Sequence, residues 1–134
     1  MSDRAKTVEL YRPIGLHEAE LIEASGFTAF PPRLPGQPIF YPVLNFAYAE
    51  QIARDWNTRF SSFVGIVTRF DVEADDLTRF DVHIVGSEDV HQELWVPAEE
   101  MEEFNRHIIG QIQFVAVYYG ESYQGPKITL SYKD

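Results

Sequence analysis

FVGIVTRFDVEADDLTRFDVHIVGSEDVHQELWV, residues 63–96, is the stretch whose reading decides the fold. It holds one apolar, β-branched run at 63–72, which reads as a strand, and two shorter strand candidates at 82–85 and 93–96. No helix-length amphipathic segment separates them. The elements do not alternate as βαβα, so the chain reads as α+β rather than as a doubly wound parallel sheet. The pattern predicts an α+β fold with a mixed or mainly antiparallel sheet.

Working outward, residues 97–107 predict a helix: Pro97 suits the first helical position, and Glu99, Glu100 and Glu102 suit the positive end of the helix dipole. Residues 110–119 then read as a long strand, and 128–132 as a last one by alternation. Toward the N-terminus, 46–56 (FAYAEQIARDW) is a helix with Asn45 as N-cap, its apolar face drawn from Phe46, Ala49, Ile52, Ala53 and Trp56. Residues 39–43 form a strand in front of it, with Pro42 marking an edge or an end. Segment 31–38 holds four of the eight prolines and must be a stiff, irregular loop. A short strand at 27–30 precedes it. Residues 16–24 predict a helix facing inward through Leu16, Ala19, Leu21 and Ile22 and capped by Gly26. The first strand is 7–12, ended by Pro13. The expected total is six or seven strands and about three helices, in a single domain over 1–134.

Composition narrows the function classes. Apolar residues make up 45% of the chain and aromatics 14%, enough for a core built on large rings. The absence of cysteine excludes disulfides, thiolate metal sites and a cysteine nucleophile. The polar start MSDRAK predicts no signal peptide and no membrane span, hence a cytoplasmic protein. A net charge of −10 disfavours nucleic acid and anionic lipid as partners. That charge reads either as a solubilising surface or as an acidic face, around Glu99, Glu100, Glu102 and Glu103, for a basic protein partner.

No dinucleotide fingerprint, phosphate loop, nucleophile elbow or zinc-protease motif is present. Arg12, closing the first strand, reads either as a surface or ion-paired arginine or as a bidentate anchor for phosphate or carboxylate. Tyr41 lies in the second strand. Glu93 reads either as a solvent-facing strand position or as a carboxylate placed to stabilise positive charge. His83, His91 and Glu93 read either as surface or hydrogen-bonded side chains or as a His/Glu metal site.

Three segments carry a family resemblance: residues 10–13 (LYRP), residues 39–56 (IFYPVLNFAYAEQIARDW) and residues 91–97 (HQELWVP). With them the chain resembles short bacterial proteins labelled "ADP-ribosylation/crystallin J1", and its order of segments is similar to the ADP-ribosyltransferase fold. The resemblance implies a sheet split around a cleft that binds NAD. Arg12 would grip the cofactor, Tyr41 would stack on nicotinamide, and Gln92 would help to bind the nucleotide. Glu93 would act on the ribose as nicotinamide leaves. Tyr41-Pro42 stands where the arginine class of that fold carries Ser or Thr, and His91 stands where an acceptor-orienting Glu or Gln belongs.

Overall fold

The computed structural model of the chain describes residues 6–84 and 91–131. Its elements run β1 (Thr7–Ile14), α1 (Leu16–Ala24), β2 (Ile39–Phe40), α2 (Phe46–Asp55), β3 (Val64–Glu73), α3 (Ala74–Leu77), β4 (Asp81–Ile84), β5 (Gln92–Pro97), α4 (Met101–Arg106) and β6 (Ile108–Tyr119). The fold is α+β: the described residues form four α-helices and two three-stranded antiparallel sheets, β1-β3-β6 and β2-β5-β4. Among the described residues no helix is long and apolar enough to cross a membrane.

Val43 joins the two sheets. It bridges Tyr11 of β1 on one side and Glu93 of β5 on the other, with Val43 N–H donating to the Tyr11 carbonyl at 2.7 Å and Tyr11 N–H returning at 3.0 Å. The pairings Ile39–Pro97, Phe40–Val96 and Val43–Glu93 keep one register, so β2 continues through Val43 although Tyr41 and Pro42 interrupt the ladder. Directly paired residues point to the same face of an antiparallel sheet. The chain of partners His83, Glu93, Val43, Tyr11, Arg69 and Gln113 therefore forms one row across both sheets, facing α2. The opposite face carries Leu10, Ile14, Phe40, Ile66, Phe70, Leu94 and Val96, which form the larger core with Ile22 of α1 and Phe104 of α4. On the α2 side Val43, Tyr48, Ala49, Ala53 and Val67 make a smaller cluster.

Local chemistry explains the elements. Asn45 caps α2, its Oδ1 accepting the Tyr48 N–H at 2.8 Å. Gly26, at φ 79°, lets α1 end in a pair of reverse hydrogen bonds, Phe27 N–H to Ile22 O and Gly26 N–H to Glu23 O. Helix α2 lies so close on β3 that a Cβ on Gly65 would meet the Ala53 carbonyl oxygen at 2.2 Å.

Several expectations are corrected. β1 does not stop at Pro13 but runs to Ile14. Tyr11 turns its N–H toward Val43, so the nitrogen of Pro13, two residues on, points beyond that bridge and its missing proton breaks no bond to β3. Residues 27–30 are not a strand, because Asn105 takes both backbone groups of Phe30 with its side-chain amide, each at 3.0 Å. Residues 128–131 are not a strand either; Ser131 N–H and Oγ satisfy Phe114 in place of a ladder, and residue 132 lies outside the described residues. Residue 85 of the expected 82–85 strand also lies outside them. Leu21 and Trp56, assigned to inner faces, are 41% and 61% exposed. The segment after Pro97 opens as a 3-10 turn, Ala98–Glu100, before α4 begins.

Candidate functional site

The four residues singled out by the resemblance fall on two faces of the sheet. Tyr41 and Glu93 lie on the α2 face, as the Val43 bridge and the Tyr41–Trp95 ring contact at 6.4 Å require. Arg12 lies on the opposite face, between Leu10 and Ile14, and Gln92 alternates away from Glu93. They do not converge on one pocket.

Glu93 is held in an aromatic nest. Its Oε2 accepts the Tyr48 hydroxyl at 2.5 Å and its Oε1 accepts the Trp95 indole N–H at 3.1 Å, both neutral donors. His83 stacks on Trp95 at 3.7 Å between ring centroids, and the His91 ring sits edge-on to Tyr48. Burial, and then the bond to Glu93, raise the Tyr48 phenol above its ordinary pKa. Among the described residues no group of three or more His, Asp or Glu side chains is arranged to hold a metal ion. Gln92 serves the sheet through its carbonyl, which accepts the Leu44 N–H at 3.1 Å.

Arg12 is nearly buried and already carries a carboxylate. Its Nε donates to Glu18 Oε2 at 2.8 Å and its Nη2 to Glu18 Oε1 at 3.0 Å, a two-point fork, while the guanidinium carbon lies 4.6 Å from the centre of the Phe40 ring. The same ring has a second cation beside it, Arg33, at 6.0 Å. Arg33 comes from the proline-rich segment, is half-buried, and has no carboxylate partner among the described residues; its Nε is enclosed without a hydrogen-bond partner. Burial, and then the Arg12 charge, lower its pKa from the usual arginine value.

Arg12, Glu18 and Arg33 line a cavity of about 370 Å³, within the size range of small-molecule pockets. Its walls come from three places. The first turn of α1, residues 15–18, presents the helix N-terminus, where Ser62 Oγ accepts the Leu16 N–H at 3.0 Å. The stiff segment 31–37 supplies Pro31, Pro32, Leu34 and Gln37, and the chain after α2 supplies Asn57, Ser61 and Ser62. Leu21 and Leu34, both well exposed, give the cavity an apolar wall. The arrangement is suited to an anion: two guanidiniums and a helix N-terminus against one carboxylate. Sequence reasoning had singled out Arg12 but not Arg33. The signal was an arginine set among four prolines, whose fixed φ angles hold its backbone in place.

Three of the acidic residues of helix α4 and the turn before it have cationic neighbours, although Arg79 is shared with Asp76 and His107 with Glu73 and Asp76. Glu100 pairs with Arg79 at 2.7 Å, Glu102 with Arg106 at 3.7 Å, and Glu103 with Arg106 and His107. Of the four acidic residues expected to form a docking face, Glu99 alone has no ion pair among the described residues. Comparison of the chain with protein-family models, with curated proteins and with solved structures finds no match, so the functional reading rests on the geometry of these residues.

Proposed function

We propose that this chain is a binding protein for a small organic anion, taken up in the cavity between α1, the proline-rich segment and the turn after α2. The observation that carries the reading is Arg33, a half-buried cation lining a cavity without an ion pair of its own among the described residues, the Glu18 carboxylate that acts on it being forked onto Arg12. A charge drawn out of water beside another of the same sign is unfavourable until an anion arrives. The α1 N-terminus adds positive potential at the same place, and Leu21 and Leu34 offer an apolar surface to the body of the ligand.

The test is a set of thermal melts with aliphatic carboxylates and organic phosphates. A ligand that binds only the folded state raises Tm once its concentration passes Kd. Saturable stabilisation that is lost in Arg33→Met supports the reading; none with any small anion at millimolar concentration rejects it. NAD, the cofactor implied by the resemblance, forms a separate arm. Its pyrophosphate would lie on Arg33 and Arg12, leaving Glu93 on the far side of the sheet. NAD binding that survives Arg33→Met but is lost in Tyr41→Ala and Glu93→Gln would instead assign the nucleotide to the α2 face and support the ADP-ribosyltransferase-type reading.

A further inference from the structure

The fork between Arg12 and Glu18 bears on which anions the cavity takes. A carboxylate on a guanidinium through two parallel bonds is the geometry by which arginine recognises ligand carboxylates and phosphates. Here a side chain of the protein has that place: both oxygens of Glu18 are on Arg12, and Glu18 itself lines the cavity. Of the two arginines in the wall, one is therefore matched and one is not. Arg12, Arg33 and Glu18 together leave a single positive charge facing the ligand space.

We propose that Glu18 is the specificity determinant of this cavity, an internal ligand on Arg12 that selects singly charged carboxylates over doubly charged phosphate monoesters. The inference rests on the anion-binding reading above. A monocarboxylate cancels the one free charge, that of Arg33. A phosphate monoester carries close to two negative charges at neutral pH. Its second charge would find Arg12 engaged and Glu18 beside it, so binding has to displace Glu18 or tolerate its repulsion.

Two probes with the same apolar tail, hexanoate and hexyl phosphate, isolate the head group. Calorimetric titrations at one fixed pH and moderate salt would compare wild type, Glu18→Gln, Arg12→Leu/Glu18→Leu and Arg33→Met. Wild type should bind hexanoate more tightly than hexyl phosphate. Glu18→Gln frees Arg12 and should move the ratio of the two dissociation constants toward the phosphate by about tenfold, the effect of 1.4 kcal/mol. The double variant removes the Arg12–Glu18 pair as a unit and leaves Arg33 as the one unmatched charge, as in wild type, so it should keep the wild-type ratio; it also stands as a test if Glu18→Gln fails to fold. A wild type that prefers the phosphate, an unchanged ratio in Glu18→Gln, or a double variant that shifts toward the phosphate overturns the inference. If wild type binds either probe and Arg33→Met abolishes the binding, the anion-site reading stands whatever the ratios show. If neither probe binds wild type, that reading falls and the Glu18 inference with it.

Discussion

Replacing Arg33 with methionine should make the unliganded protein more stable. The guanidinium carbons of Arg12 and Arg33 lie 4.6 and 6.0 Å from the centre of the Phe40 ring, so they are within about 11 Å of each other. At an effective dielectric of about 20, two unit charges at that separation repel by roughly 1.5 kcal/mol. Glu18, forked onto Arg12, cancels part of this, solvent around the exposed part of Arg33 weakens what is left, and burial of the guanidinium adds to it. A net penalty of about 0.5–1 kcal/mol remains. Methionine keeps an unbranched apolar stem against Phe40 and removes the charge. The expected gain is therefore about 0.5–1 kcal/mol, or about 2–5 °C in Tm for a chain of this size. Thermal melts of wild type and variant at low and high salt would check it. The gain should shrink at roughly 1 M salt, where the Debye length falls to about 3 Å. A lower Tm in the variant, or a gain indifferent to salt, would show that Arg33 is not an uncompensated cation and would remove the basis of the anion site.

Three further expectations follow from other parts of the molecule. Gly65→Ala places a Cβ 2.2 Å from the Ala53 carbonyl oxygen and must push α2 off β3, costing about 1–3 kcal/mol in a denaturant titration; a neutral result would contradict the close helix–sheet approach. Glu93→Leu strands the Tyr48 hydroxyl and the Trp95 indole N–H and should cost about 2–3 kcal/mol. Glu93→Gln, which can still accept from Trp95 and donate to the Tyr48 oxygen, should cost about 1 kcal/mol; equal losses in the two variants would refute a hydrogen-bonding role. His107 has its pKa raised by its hydrogen bond to Glu73, at 2.6 Å, and then by that to Glu103. Because the folded-state value is the higher one, the stabilisation is complete below the unfolded value of about 6.5 and is lost as pH rises through the folded value. The Tm difference between wild type and His107→Gln should thus narrow from mildly acidic to mildly alkaline pH, and a difference that widens would reverse the assignment.

Where one local rule dominates, the sequence was readable. The helix at 16–24 has the predicted bounds because its apolar spacing and the Gly26 stop agree. The strands around 63–72 and 110–119 are long β-branched runs with no competing helical period. Misreadings came where a distant side chain replaced a ladder, as Asn105 does for Phe30 and Ser131 does for Phe114. The site was harder to read for a reason of parity. Which face of β1 holds Arg12 relative to Glu93 depends on the Val43 bridge, and a register shifted by one residue would exchange Arg12 for Tyr11. Nothing local to either strand specifies that register. Arg33 escaped notice because its importance lies in having no ion pair of its own among the described residues, and ion pairing between distant segments is not written in residue order.

The central claim is that a small organic anion enters the cavity at Arg33. Its most direct test is to follow the backbone amide resonances of wild type while titrating hexanoate. The account predicts saturable shifts centred on the cavity lining, Gly15, Leu16, His17, Glu18, Arg33, Leu34 and Ser62, with Trp95 and Glu93 across the sheet unmoved. Shifts centred on Tyr41, Glu93 and Trp95, or no shifts at all, would contradict it.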